Sequence, residues 1–112
     1  MTDLRIPNAE ACLRILRQTP GTLRHLLTPA TVAQMNWRPP SGRWSIAMVL
    51  AHLADAEVRG FQQRFQAMLS EDLPTLPSYD QTALFEGRSE IDPHASLARF
   101  EQERAMTLGI LE

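Results

Sequence analysis

Few residues of this 112-residue chain could carry chemistry, and His52 is the most informative of them. The sequence contains three histidines, His25, His52 and His94, and a single cysteine, Cys12. One imidazole can ligate a divalent metal ion, but a retained zinc ion takes about three or four protein ligands. Two histidines four residues apart on a helix would supply two ligands, and none of these histidines has a neighbour at that spacing. A metal site at His52 therefore depends on what its helix packs against.

The charged residues exclude several classes of function. All 11 basic residues are arginines, so the chain cannot provide a Schiff-base lysine, a Ser-Lys dyad or the phosphate-binding lysine of a P-loop. A net charge of -2 argues against nucleic-acid binding, which needs clustered basic side chains. The N-terminus has no apolar signal region, and no stretch approaches the roughly 20 apolar residues of a membrane span. We therefore expect a cytoplasmic protein that binds neither nucleic acid nor membranes.

Hydrophobic spacing predicts the first and third main helices. Apolar residues recur every three or four positions over residues 8–27, and Pro20-Gly21 inside this stretch predicts either a kinked helix or two short helices. A connection with one short turn, at about residues 30–35, follows. Towards the other end of the chain, Asp92 as N-cap and Pro93 at the first helical position predict a helix that runs to the last residues. No alternating strand pattern is present, so the predicted fold class is all-α.

The second main helix carries His52. Ser45 is a good N-cap for a helix over about residues 46–69, and Trp44 and Val49 stand at the two positions of a hydrophobic staple. At about 100° per residue, an apolar stripe lies opposite His52 and is predicted to face the core. The stripe consists of Ala47, Leu50, Ala54, Val58, Phe61, Phe65 and Met68. The side of His52 is mostly polar and holds Ser45, Met48, Asp55, Ala56, Arg59, Gln63 and Gln66.

Two interpretations of His52 remain open at this point. In the first, His52 is a solvated side chain on a polar helix face, with Asp55 one turn away. In the second, another element covers this face, and His52 binds a metal ion in the resulting cleft while Asp55 orients the imidazole. Spacing along the helix is compatible with both.

Other residues have a structural and a functional interpretation. Glu57 and Arg64 lie about 20° apart in projection, so they predict either a polar wall of the site or, more simply, an ion pair that braces the bundle. Cys12 lies on the apolar face of the first helix and is predicted to be buried. Tyr79 and Asp80, in the proline-rich loop after the second helix, are candidates for the mouth of a substrate cleft.

The segment around His52 resembles a known family. The run from Trp44 to Glu57, WSIAMVLAHLADAE, with Arg64 two turns beyond it, is similar to the signature of the DinB-like family of four-helix bundles. Further similarity comes from Trp37-Arg38-Pro39, Asp72-Leu73-Pro74, Tyr79-Asp80, Ser96-Leu97 and Phe100. The resemblance covers nearly the whole chain. It implies an up-and-down helical bundle in which the chain, a single domain over residues 1–112, supplies three of the four helices.

The resemblance also implies a metal site and an activity. It makes His52 the first of three histidine ligands of a divalent metal ion, zinc or nickel, with the other two in a His-x-x-x-His pair on a fourth helix. The sequence ends before such a helix, so we expect a C-terminally incomplete domain. The implied activity is that of a metal-dependent hydrolase or thiol S-transferase acting on a small molecule, in a homodimer. The alternative is a non-catalytic dimeric bundle that has lost the metal site.

Overall fold

The regular structure of the chain is helical. The computed structural model describes residues 8–72, 76, 85 and 91–112, and within these residues it contains helices and no strands. They are α1 (Ala9–Leu27), α2 (Val32–Asn36), α3 (Ile46–Asp55), a π-helical segment (Ala56–Gln62), α4 (Gln63–Ser70) and α5 (Pro93–Leu111). The prediction of an all-α bundle with three main helices is confirmed, because α3, the π segment and α4 follow one another directly. None of the described helices is long and apolar enough to cross a membrane.

Two predicted helix starts are capped as expected. The hydroxyl of Ser45 accepts the amide of Met48 at 3.1 Å, and the carboxylate of Asp92 accepts the amide of Ala95 at 3.1 Å. Both caps supply an acceptor to an amide of the first turn, which has no partner within its own helix. Pro93 follows Asp92 at the position where a missing amide costs least. The first residues of α3 and α5 are therefore fixed by local chemistry.

Helix α1 remains continuous through Pro20. Of the two predicted alternatives, the structure has one helix over Ala9–Leu27 rather than two short ones. Because proline has no amide hydrogen, the carbonyl of Leu16 loses the donor that an α-helix would provide at position 20. The guanidinium of Arg104 in α5 donates to that carbonyl at 3.0 Å. The Leu16 carbonyl, which lacks its usual helical donor because of the proline, thus accepts a hydrogen bond that links α1 to α5.

The π segment changes which side chains face α5. Its last turn has the wider hydrogen-bond pattern, with the amide of Gln63 donating to the carbonyl of Val58, five residues earlier. Residues five apart lie about 140° apart on an α-helix, whereas the wider π turn brings them towards the same side. Accordingly Glu57 and Gln62 are both buried and both bond to α5.

The predicted apolar stripe is therefore right in α3 and wrong in part from the π segment onward. Ala47, Leu50 and Ala54 are buried as expected. Phe61 and Met68 are 47% and 52% exposed, against the prediction that they face the core. A projection at a constant 100° per residue does not allow for the wider turns, which rotate every later side chain away from its expected direction.

The main apolar core lies where α3 crosses α5. Its buried members come from α2, α3 and α5, with partly buried residues of α1 packed against them. They are Met35, Leu50, Ala54, Leu97 and Phe100. Helix α1 itself has no buried residue, and Cys12 is exposed, so the prediction that Cys12 is buried is wrong. The described core meets α1 at Leu23 and Leu27, near the C-terminal end of the helix, whereas Cys12 lies about three turns before Leu23.

A buried polar group, which we call the Glu57 cluster, consists of Glu57, Arg104 and Thr107. One carboxylate oxygen of Glu57 accepts from Arg104 Nη2 at 2.7 Å and from Nε at 3.1 Å, and the other accepts from the Thr107 hydroxyl at 2.8 Å. Glu57 is only 2% exposed. The guanidinium also lies 5.0 Å from the centre of the Phe100 ring, within cation–π range.

We expect Arg104→Met to destabilise the chain by about 3–5 kcal/mol, because it leaves the Glu57 carboxylate buried without its counter-charge. Urea unfolding followed by helical circular dichroism measures the change. Glu57→Gln added to Arg104→Met should recover part of the loss, since the stranded charge is then removed. The matched control is Arg17→Met, whose ion pair with Glu112 is exposed and should contribute about 1 kcal/mol or less. Equal losses in the two arginine variants would contradict the role of the cluster.

Candidate functional site

The candidate site is built around His52 in α3. The side chain is half-buried, and its Nδ1 atom is shielded from solvent. The indole of Trp44 meets the imidazole edge to face, with ring centres 5.4 Å apart and planes at 66°. On the same indole lies Phe85, at 4.9 Å and 75°. His52 therefore lies against Trp44, whose indole also contacts Phe85, and it is not the fully solvated side chain of the first interpretation.

Trp44 has two aromatic contacts that the staple prediction does not include. That prediction pairs Trp44 with Val49, which is 41% exposed, and within the described residues the indole also contacts the rings of His52 and Phe85. A staple depends only on spacing around the N-cap, whereas the contact with Phe85 depends on a loop distant in sequence. No signal in the sequence indicates that contact.

Asp55, one turn after His52, is buried and ion-paired. Its carboxylate accepts three bonds from the guanidinium of Arg59, at 2.6, 3.0 and 3.1 Å. Asp55 is therefore not a solvated residue, although it lies on the mostly polar side of the helix. A two-pronged arginine–carboxylate pair is among the stronger charged contacts in proteins, so it fixes the direction of Asp55 on the helix that carries His52.

Glu57 does not pair with Arg64 as predicted. Its carboxylate bonds to Arg104 and Thr107 in α5, since Glu57 lies on the same side of its helix as the buried Leu50, about 20° away in projection. Of the two predictions for Glu57, a bracing ion pair is correct in kind but wrong in its partner. A buried carboxylate needs a positively charged partner, because an unpaired buried charge is strongly unfavourable. The sequence did not indicate that Arg104, 47 residues away, would be that partner. Tyr79 and Asp80 lie outside the described residues.

The residues that could hold a metal ion do not form a complete centre within the described chain. No group of three or more His, Cys, Asp or Glu side chains there is arranged to hold one. His25 in α1 and His94 at the start of α5 are both exposed, and the structure does not bring them into a ligand set with His52. His52 thus offers one donor, which is too few for the family's expected three-histidine site.

Comparison with a solved structure supports the assignment of the chain to a helical bundle fold. The solved structure of YfiT from Bacillus subtilis, described as having an unusual four-helix bundle topology, superposes with a TM-score of 0.81 over 99% of this chain at 24% identity. The match covers 66% of the YfiT chain. A three-helix arrangement is thus shared with a larger four-helix bundle.

Sequence relatives give the same picture. The chain is 28% identical over 92 residues to the Bacillus subtilis protein named "Putative metal-dependent hydrolase YfiT", a match covering 80% of this chain and 51% of that protein. It is 30% identical over 86 residues to a Bacillus licheniformis protein that is also named "Putative metal-dependent hydrolase", a match covering 74% of this chain and 48% of that protein. The chain therefore spans about half the length of the curated relatives it matches. The sequence model of the DinB superfamily matches residues 15–112, and we conclude that the chain belongs to this superfamily.

Proposed function

We propose that this chain is the His52-bearing part of a metal-dependent hydrolase, with His52 as one ligand of a divalent metal ion. The observation that carries the proposal is the half-buried position of His52, beside Trp44, in a chain whose relatives are named metal-dependent hydrolases. These names favour hydrolysis over thiol transfer. They do not identify the metal, and zinc or nickel remains our expectation.

The proposal requires donors beyond the described residues. A divalent ion held by three neutral imidazoles, with an open coordination position, lowers the pKa of a bound water to about 7 and so supplies a nucleophile near neutral pH. The described residues provide one such imidazole and no group of three donors. The chain's own contribution is to hold His52 on a helix whose start is capped by Ser45 and whose rotation is set by the Glu57 cluster.

Metal analysis tests the assignment of His52. We expect His52→Ala to lower the bound zinc or nickel at least tenfold in the complete gene product, because one of about three ligands is removed. Metal content after gel filtration, measured by plasma mass spectrometry, and zinc titration calorimetry are the readouts. His94→Ala is the matched control, since His94 is exposed at the start of α5 and should leave metal content unchanged. Equal metal content in the two variants would disprove the ligand assignment.

The second candidate function is a non-catalytic dimeric bundle. It is favoured by the missing ligand group among the described residues and by the apolar face of α1. Ile15 and Leu26 are 64% and 65% exposed and lie about 20° apart in projection, so they share one strip of the α1 surface, with Thr19 and Thr22 between them. A second copy that packs against this strip would remove it from water.

Sedimentation velocity tests this candidate. We expect the chain to sediment as a dimer at micromolar concentration, and Ile15→Asp with Leu26→Asp to shift it to monomer, because a carboxylate in a dry interface is strongly unfavourable. Gln63→Asp, a substitution at an exposed position of α4, serves as the control and should leave the dimer intact. A monomeric wild-type chain would exclude the dimeric bundle, while metal binding by that monomer would favour the first candidate.

A further inference from the structure

We propose that Trp44 is a positioning residue for His52: its indole sets the orientation of the imidazole. The proposal rests on the proposed function in one respect, since the value of a fixed orientation lies in metal binding. The contact itself does not depend on that function. It consists of an edge-to-face pair with ring centres 5.4 Å apart.

The backbone on both sides of Trp44 is anchored. On the preceding side, the guanidinium of Arg38 donates to the carbonyl of Arg43 at 3.2 Å and also to that of Gly42. Gly42 has a φ of 81°, a left-handed conformation that a residue with a Cβ adopts at a cost, so this turn is suited to glycine. On the following side, the buried Ser45 caps α3. Trp44 is therefore held between a closed turn and a helix start.

The indole is also supported on a second side. Phe85 contacts it at 4.9 Å with the ring planes at 75°. Edge-to-face aromatic pairs contribute about 0.5–1.5 kcal/mol beyond the burial of their area. Trp44 therefore has a preferred orientation that it can impose on His52, which lies two helical turns beyond the N-cap.

An orienting contact matters for a half-buried imidazole. A side chain that can rotate must lose that freedom when it binds a metal, and ligands held in place in advance avoid this cost. Metal-binding histidines are commonly oriented by a carboxylate. Here the nearest carboxylate on the same helix, Asp55, is engaged by Arg59 in a bidentate pair. Among the described residues, the aromatic contact with Trp44 is one contact that can orient the His52 ring.

Nuclear magnetic resonance of the 112-residue chain tests the proposal without metal. In the wild type, we expect nuclear Overhauser effects between the Trp44 indole and the His52 ring protons, and ring-current shifts of those protons. Trp44→Leu should abolish the ring-current shifts and increase the mobility of the imidazole, measured by carbon relaxation. Trp44→Phe should retain part of both effects. Trp37→Leu is the matched control, because Trp37 is 64% exposed and should leave His52 unchanged.

The second readout is zinc affinity in the complete gene product. We expect Trp44→Leu to weaken it about tenfold, as loss of a residue that orients a ligand does, and Trp44→Phe to restore most of the loss. Unchanged His52 shifts and mobility in a folded Trp44→Leu chain would overturn the proposal. If that variant does not fold, absence of the wild-type Overhauser effects would overturn it instead. Loss of imidazole order with unchanged zinc affinity would also overturn it, provided that His52→Ala lowers metal content.

The two proposals can fail separately. If His52→Ala leaves metal content unchanged, the ligand assignment fails, and the metal-free ring measurements still decide whether Trp44 orients His52. If His52→Ala removes the metal but Trp44→Leu changes neither readout, the ligand assignment stands and the positioning role fails.

Discussion

The ion pair between Glu57 and Arg104 is the contact on which the arrangement of the three long helices depends. Its carboxylate belongs to the π segment, and its guanidinium to α5. The same guanidinium reaches the Leu16 carbonyl of α1. A buried pair of this kind adds little to stability compared with apolar side chains of similar size, but separating its members is costly. It therefore acts as a constraint on geometry: the helices cannot slide or rotate relative to one another without leaving a charge buried and unpaired.

This constraint extends to His52. The imidazole lies five residues before Glu57 on a continuous helical rod, so the direction in which Glu57 points also fixes the direction of His52. Burial of Glu57 and Gln62 against α5, with hydrogen bonds from both to that helix, holds the rod in one rotational setting. The direction of His52 is thus set by polar contacts elsewhere on its helix, which do not involve the imidazole itself.

The helices of this fold could be predicted from local rules, and its contacts only in part. Caps at Ser45 and Asp92 are determined by neighbouring residues, and they are where the sequence places them. The family could also be recognised, because its signature is a contiguous run. By contrast, Phe61 is exposed because it lies in the π segment, whose turns are wider than those of an α-helix. A projection that assumes 3.6 residues per turn does not detect such a segment. Phe85, one partner of Trp44, and the partners of Glu57 come from distant parts of the chain, and spacing along one helix carries no information about them.

Pro20 has a role that its usual description as a helix breaker conceals. In a regular helix every interior carbonyl already accepts one amide, so a side chain from a neighbouring helix can only share it. By withholding one amide, Pro20 leaves the Leu16 carbonyl available, and Arg104 occupies it. The position of the proline thus determines which turn of α1 offers an acceptor to the guanidinium of Arg104. The absence of an amide hydrogen at Pro20 thereby helps to set the position of α5 along α1.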